Sequence, residues 1–340
     1  MSKKINVAIN GFGRIGRATL KIILEKHPNL KVVAINDLSD SESLAYLLKY
    51  DSVYGKYDKK VQVFKDSFKI GGDKIKLFSE REPENLPWQE LNVDIVLECT
   101  GFFRTKEKSL KHIKAGAKKV IISAPAKGDE FVNTIVLGVN EKSLKKNDKV
   151  ISCASCTTNC LAPLTEIIRK KIGIKKSIMT TIHAYTASQN ILDGSQKDYR
   201  RGRAGAVNLV PTTTGAAKAT TTVISELKDK IDGIAVRVPI PVGSLVDATY
   251  LLKKKMSVEE VNNIFLQAEK NPDLKGIISA SKEKLVSSDI VGSSYSTIID
   301  LEFTQLVDGD LLKVLAWYDN EWGYSSRLVD LASLVAKKYL

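Results

Sequence analysis

Cysteine, histidine and long apolar runs are all scarce in this 340-residue chain. Four cysteines, three of them crowded between Cys153 and Cys160, do not make a disulfide framework, and the expected setting is a reducing cytoplasm. No stretch approaches the length of a membrane span. Ile5 to Ile9 is too short, and too interrupted by polar residues, to be the apolar core of a signal peptide. No aromatic motif of the kind used by RNA-binding surfaces is evident, which argues against nucleic acid as a primary partner. Acidic residues are under-supplied: 39 Asp and Glu face 52 Lys and Arg, a formal net charge of +13. That surplus favours anionic partners, whether phosphorylated metabolites, a cofactor or nucleic acid. Many lysines fall in scattered pairs such as Lys118-Lys119, as on a solvated surface, so composition alone does not choose among them.

Against this background the run from Ser152 to Cys160 stands out. Lys149-Val150-Ile151 reads as a strand end. Leu161, Leu164, Ile167, Ile168 and Ile172 mark one apolar helix face by their three-and-four spacing. Cys156 therefore sits near a helix N-terminus, where unpaired N–H groups and the helix dipole favour an anion. The expectation is an exposed thiol with a lowered pKa, beside N–H groups able to bind an oxyanion. A lone cysteine is more often a small core residue. Here the polar neighbours Ser155, Thr157, Thr158 and Asn159 make a poor core lining. Cys153, Cys156 and Cys160 also form C-x-x-C-x-x-x-C, but a tetrahedral metal site wants a fourth ligand and none is nearby, so no metal is expected.

The length accommodates two domains. In the first half, Ile5–Asn10 reads as a strand, followed by Gly11-Phe12-Gly13-Arg14-Ile15-Gly16 and a helix through Ile22, Ile23 and Leu24. Strand, G-x-G-x-x-G and helix form the dinucleotide fingerprint: one glycine for the turn, one for close approach of a pyrophosphate, one for helix–strand packing. A second strand, Lys31 to Asn36, ends in Asp37, where a carboxylate can bond ribose hydroxyls; a helix or turn cap is the alternative role. A short helix over Ser43 to Lys49 and hairpin strands over Val61 to Phe78, broken at Gly71-Gly72, are expected next. Val93–Cys99 and Val120–Ile122 read as buried strands ending at Thr100 and Ser123, which places both residues along a cofactor cleft at the strands' carboxyl ends. His27 and His112 read as surface residues, and Cys99 as core.

The second half reads differently. Ser177 to Thr186 alternates as a strand carrying His183, which on position alone suits a structural histidine. Ser188 to Leu209 is a polar, arginine-containing loop. Pro211 to Ala217 is expected to open a helix and cradle an anion. Strands follow between Gly233 and Leu252, with Arg237 among them. Ser257 and Glu260 form a capping box, and two further strands flank an Asp308-Gly309 turn. Adjacent strands without intervening helices predict a mainly antiparallel sheet. The fold class is thus an α/β N-terminal Rossmann dinucleotide-binding domain plus an α+β domain.

The run Ala154-Ser155-Cys156-Thr157-Thr158-Asn159-Cys160-Leu161-Ala162-Pro163 resembles the active-site signature of phosphorylating glyceraldehyde-3-phosphate dehydrogenases. Similar matches cover essentially the whole chain. The resemblance implies a Rossmann domain over residues 1–154, rejoined by the C-terminal helix 321–340, and a catalytic and oligomerisation domain over 155–320. It implies Cys156 as nucleophile and His183 as its partner and base. Gly11, Gly13, Arg14, Ile15, Gly16, Asp37, Arg81, Thr100, Ser123 and Asn320 would bind the cofactor, with Asn320 holding the nicotinamide carboxamide. Thr186 and Arg237 would bind the phosphate of glyceraldehyde 3-phosphate. Ser155, Thr157, Thr214 and Gly215 would receive the attacking inorganic phosphate. The 188–209 loop would line a neighbouring subunit's cofactor site in a homotetramer. Three departures appear: Cys153 where Asn is usual, Ser188 where some members have Asp, and Gly194-Ser195 in place of a Leu-Pro pair associated with strict NAD use. NAD is expected as cofactor, with NADP a weaker acceptor. Alternatives are an erythrose-4-phosphate dehydrogenase and, in another class, a nucleic-acid-binding side activity.

Overall fold

The computed structural model describes residues 4–340, which divide into two compact units: residues 4–135, Lys142–Ala154 and Ser325–Leu340 in the first, Val136–Glu141 and Ser155–Tyr324 in the second. The first unit runs β1 (Ile5–Asn10), α1 (Arg14–Lys26), β2 (Leu30–Asn36), α2 (Ser41–Lys49), a small hairpin β3 (Tyr50–Asp51) and β4 (Gly55–Lys56), then β5 (Val61–Phe64), β6 (Ser67–Ile70) and β7 (Asp73–Phe78). It continues through β8 (Ile95–Glu98), α3 (Lys106–Lys114), β9 (Lys119–Ile122), β10 (Asn133–Thr134) and β11 (Val150–Ser152). Nine of these strands form one sheet in the order β10-β11-β9-β8-β1-β2-β7-β6-β5, parallel except where β5, β6 and β7 pair as hairpins. The central strands are apolar on both faces, with Val7, Ile9, Ile35, Val96, Leu97 and Ile121 fully buried, as a parallel sheet requires. This is a Rossmann-type dinucleotide-binding fold. β1, β2, β7, β8 and β9 run parallel, so their carboxyl ends share one sheet edge.

The second unit contains α4 (Cys156–Lys171), β12 (Ile174–Ala184), β13 (Val210–Thr213), α5 (Ala216–Val223), β14 (Ile231–Val238), β15 (Ser244–Leu252), α6 (Val258–Glu269), β16 (Ile278–Ser281), β17 (Thr297–Val307) and β18 (Leu311–Tyr318); α7 (Trp322–Tyr339) begins in it and continues into the first. Its sheet has the order β13-β14-β12-β15-β18-β17-β16 and is mainly antiparallel, with parallel pairs β12/β14 and β16/β17. α6 starts with both hydrogen bonds of the Ser257/Glu260 capping box. Asp308 and Gly309 both take positive φ, 48° and 74°, as a tight hairpin turn demands. Residues 210–213 are a strand and not the opening of a helix; α5 begins at Ala216, because cross-strand pairing with Ile234–Arg237 captures the threonines.

Both surface histidine expectations need correction. His27 caps the end of α1 half-buried, 3.4 Å from Asp330. His112 is fully buried: α3 is charged on its solvent side but turns Ser109 and His112 inward. Trp88 Nε1–H donates to His112 Nδ1 at 3.0 Å, which leaves Nε2 to carry the proton and donate to Glu98 Oε2 at 3.2 Å. The buried Glu98 carboxylate also accepts from Asn10 Nδ2 at 2.6 Å, from the Thr100 backbone N–H at 2.8 Å and from the Thr100 hydroxyl. Replacing His112 with leucine would leave a buried indole N–H without its acceptor and take one donor from a buried carboxylate. At about 1–3 kcal/mol for each group, His112→Leu is expected to cost about 2–6 kcal/mol. A urea midpoint unchanged from that of the parent protein would show that the pair finds other partners.

Candidate active site

The chain leaves β11 through Cys153 and Ala154. Ala154 is held at φ +56°, a left-handed conformation unusual for a residue with a side chain. Ser155 then caps α4: its Oγ accepts from the Thr158 N–H at 3.0 Å and lies 2.7 Å from the Thr158 hydroxyl. Cys156 is the first residue of the helix. On the neighbouring strands, β12 and β14 pair in parallel with His183 in register with Arg237, and Thr181 two residues earlier lies on the same face as His183.

These elements bring three of the expected residues together. Cys156 Sγ lies 3.4 Å from His183 Nε2. His183 Nδ1 lies 2.5 Å from Arg237 Nη1 and 2.7 Å from the carbonyl oxygen of Ala184, and Arg237 Nη1 donates to that same oxygen at 3.0 Å. Tyr318, a residue that sequence reasoning left without a role, closes the group. Its hydroxyl joins Thr157 Oγ1 at 2.9 Å and Thr181 Oγ1 at 2.8 Å, and its ring meets His183 edge-on at 6.0 Å between centroids. The available signal was its place two residues before Asn320.

The electrostatics reverse one expectation. Burial pushes the Cys156 thiol above its ordinary value, outweighing the Arg237 charge and the hydrogen bonds at the start of α4. The residue retains some exposure, but its sulfur is enclosed, and removal from water governs the sign. Burial, helped by Arg237, drives His183 down to about 3. Both shifts oppose the thiolate that a helix start alone predicts. Arg237 itself remains charged, as guanidinium does in proteins. Among the described residues its buried Nε has no partner, which makes it a donor suited to an oxyanion.

The remaining phosphate candidates are arranged less tightly. Thr157 is buried with its hydroxyl on Tyr318, and the Ser155 hydroxyl is taken up by the cap. Thr186 Oγ1 lies 2.8 Å from Ser188 Oγ. Thr214 Oγ1 accepts from the Ala216 N–H at 3.2 Å, and Gly215 forms the exposed N-cap of α5 with nothing within 4 Å of where a Cβ would lie. Arg201 contributes a second positive charge near Arg237 while its Nε holds Thr212 Oγ1 at 2.9 Å. The Gly194 N–H donates to Gly202 O at 2.9 Å, and the nearest atom to a Cβ there would be the terminal amide of Asn190. Asn320 Oδ1 accepts from Gly243 N–H at 3.2 Å and Ser244 Oγ at 2.9 Å, which leaves its amide nitrogen as the end available to a ligand.

In the first unit the cofactor candidates lie after the strands' carboxyl ends. Gly11 has φ +91°, and a Cβ there would come within 2.7 Å of the Thr100 nitrogen. A Cβ on Gly16 would come within 2.2 Å of the Gly11 carbonyl, so α1 packs against the turn only without one. Gly13, the N-cap of α1, faces open space and makes no side-chain cap bond. Asp37 accepts from the Phe12 N–H at 2.7 Å through one oxygen and from the Ser39 N–H at 3.0 Å through the other, which leaves each oxygen a lone pair for ribose hydroxyls. This arrangement fits a dinucleotide. Arg14 is held by Asp51 at 2.7 Å, Ile15 is partly exposed beside it, Arg81 is exposed, and the Ser123 N–H donates to Glu98 O at 2.9 Å. Asn10 and Asn36, missed from sequence, tie β1 to β2 at 2.7 Å and then to both backbone groups of Glu80, fixing the loop that carries Arg81.

Residues 5–106 match the family model for the glyceraldehyde 3-phosphate dehydrogenase NAD binding domain, and residues 155–320 that for its C-terminal domain. A glyceraldehyde-3-phosphate dehydrogenase of Geobacillus stearothermophilus is 52% identical over 337 residues, covering 99% of this chain and 99% of its own. One of Thermotoga maritima is 52% identical over 332 residues, covering 97% and 99%, and one of Streptomyces coelicolor 50% identical over 335 residues, covering 98% and 99%.

The thiols themselves supply a test. Cys153 and Cys160 are buried, and burial pushes Cys99 to about 12, so limiting iodoacetamide is expected to label Cys156 first. The rate is expected to climb about tenfold per pH unit into the alkaline range. A plateau already reached at neutral pH would show a preformed thiolate.

Proposed function

The chain belongs to the glyceraldehyde-3-phosphate dehydrogenase family, and from that premise we propose that it oxidises and phosphorylates D-glyceraldehyde 3-phosphate to 1,3-bisphosphoglycerate through a thioester on Cys156. The observation that carries this reading is the contact of Cys156 Sγ with His183 Nε2 at 3.4 Å, beside a guanidinium that retains an unpartnered donor. Bound NAD supplies the hydride acceptor. The glycine turn and Asp37 hold its pyrophosphate and ribose, and Asn320 its carboxamide.

The chain's own groups do the rest. Cys156 adds to the aldehyde carbon to give a hemithioacetal. The Cys156 backbone N–H and the imidazole stabilise the oxygen on which charge develops. His183 removes the hydroxyl proton as the carbon is oxidised, and the product remains attached as a thioester. Inorganic phosphate then attacks the thioester carbonyl and releases Cys156. Arg237 and Thr186 hold the substrate phosphate, and the backbone N–H groups at the start of α4, with Thr214 and Gly215, receive the attacking one. Exposed Ile178, Ile234, Val307 and Leu311 on the outer sheet, with Leu192 and Tyr199 on the 188–209 loop, give a homotetramer surfaces to cover. The same reading places the reaction in cytoplasmic glycolysis or gluconeogenesis.

Aldehyde-dependent NAD reduction is expected to require phosphate for sustained turnover and to favour glyceraldehyde 3-phosphate over erythrose 4-phosphate; the opposite preference would support the erythrose-4-phosphate reading. Cys156→Ser should abolish turnover. His183→Asn should lower kcat about a hundredfold or more, the scale of a lost general base, without loss of fold by circular dichroism.

The Asp37 carboxylate would repel the 2′-phosphate of NADP, while Gly194-Ser195 leaves space and a hydroxyl for it. NAD is expected to be preferred by about 1–3 kcal/mol, roughly ten to a few hundredfold in kcat/KM. Asp37→Ala should narrow that ratio. A parent enzyme as efficient with NADP as with NAD would remove Asp37 as the determinant.

A further inference from the structure

The hydrogen bonds behind the glycine turn of the first unit run in one direction. The backbone N–H of Glu80 donates to Asn36 Oδ1 at 2.9 Å, and Asn36 Nδ2 donates back to the Glu80 carbonyl at 2.9 Å, so the Glu80 backbone fixes which end of that amide is which. The same Asn36 Nδ2 donates to Asn10 Oδ1 at 2.7 Å, and this fixes the second amide. Asn10 Nδ2 is thereby turned to Glu98 Oε2, 2.6 Å away. His112 donates to that oxygen too, since Trp88 has claimed its other nitrogen. From the opposite side the Thr100 backbone N–H, at 2.8 Å, and the Thr100 hydroxyl donate to Oε1, and the Phe102 N–H donates to the Thr100 hydroxyl oxygen at 3.0 Å.

Both runs of donors therefore end on one group that only accepts. An ionised carboxylate can take two donors on each oxygen, whereas an amide has a donor end and cannot. Asn10, Asn36 and Glu98 are all buried, so a reversed amide would meet another donor with no water to turn to. The direction imposed by Glu98 reaches the Gly11 turn, which follows Asn10 and packs on the Thr100 nitrogen, the 100–102 turn after β8, and the loop from Glu80 to Arg81.

These are the segments that a dinucleotide bound beyond the carboxyl ends of the strands would meet. Resting on the reading of the first unit as the NAD site, we propose that Glu98 is its positioning residue: the carboxylate makes no contact with the cofactor, but it orients the amides and turns that shape the site, and NAD affinity depends on it. Glu98→Gln exposes this dependence. Turned toward Thr100, the new NH2 opposes a backbone N–H; turned the other way, it opposes Asn10, whose amide Asn36 and Glu80 hold against flipping. Adding Asn10→Asp moves the accepting group by one residue. The new carboxylate at position 10 takes the donors from Asn36 and from the amide at position 98, and it stands where Asn10 Nδ2 now lies, 3.4 Å from His112 Nε2. The amide oxygen at position 98 keeps both Thr100 donors.

The test is calorimetric titration of NAD into the full-length protein, with the fold followed by circular dichroism. Glu98→Gln is expected to raise Kd about tenfold or more, the scale of one buried donor left unmatched. Asn10→Asp in the same protein should restore the parent's Kd. His112→Leu weakens the same network but leaves both runs directed at Glu98, so it should lose stability and still bind NAD as the parent does. If Glu98→Gln does not fold, Asn36→Ala takes its place: it cuts the run from Glu80, leaves Thr100 and His112 on the carboxylate, and is expected to weaken binding. An unchanged Kd in the folded member of that pair would overturn the proposal, as would a double variant that binds no more tightly than Glu98→Gln, or His112→Leu weakened as much as Glu98→Gln. A parent protein that binds no NAD would overturn the dehydrogenase reading and the proposal with it, whereas a parent that binds and variants that bind equally remove the proposal alone.

Discussion

One register of parallel pairing, His183 opposite Arg237 between β12 and β14, is the constraint on which the catalytic group depends. Side chains alternate along a strand, so a slip of one residue would send His183 to the opposite face of the sheet. Gly233 helps to hold the register, because a Cβ there would come within 2.4 Å of the Met179 carbonyl on the partner strand. The third corner is fixed from a different direction. The Tyr318 hydroxyl on β18 bonds both Thr157 on α4 and Thr181 on β12, so three elements are tied by one oxygen. Burial of that assembly raises the thiol and lowers the imidazole, and charge proximity modifies the result.

The first unit places its polar groups by a comparable device. Glu98 is a buried carboxylate whose cost is offset by donors from Asn10, His112 and Thr100, including the backbone N–H at the strand end. Thr100 also sits against the Gly11 turn, so the orientation of a buried acid and the shape of the glycine turn are coupled through two adjoining strands. Asn10 and Asn36 extend that coupling to the loop carrying Arg81.

Features written in local pattern were legible from sequence. The strand–glycine–helix motif, the Ser257/Glu260 capping box, the Asp308-Gly309 turn and the contrast between a parallel and a mainly antiparallel sheet all follow from spacing, turn chemistry and alternation. Features set by tertiary surroundings were not. α3 reads as solvated because its charges outnumber its inward positions, and nothing in Lys111-His112-Ile113 announces that Trp88 and Glu98 meet the imidazole. The Cys156 shift has the wrong sign from sequence because a helix terminus is local and enclosure is not. Pro211–Thr213 offers the hydroxyls of a helix entrance but lies in a strand, since β14 supplies a ladder to join. Tyr318 gains its importance only from two threonines distant in sequence.

The left-handed backbone at Ala154 has a consequence for how this chain can vary. A single base change in an alanine codon reaches valine, threonine, proline, serine, glycine, aspartate or glutamate. Proline cannot take a positive φ, and the branched pair would be strained by more than alanine's own cost of about 1–2 kcal/mol. The side chain is wholly buried, so serine and the acids would bring polar atoms into a space that alanine fills with a methyl group. Glycine alone passes both filters. The residue two places before the nucleophile therefore has almost no neutral neighbours in the genetic code, although it takes no part in the chemistry.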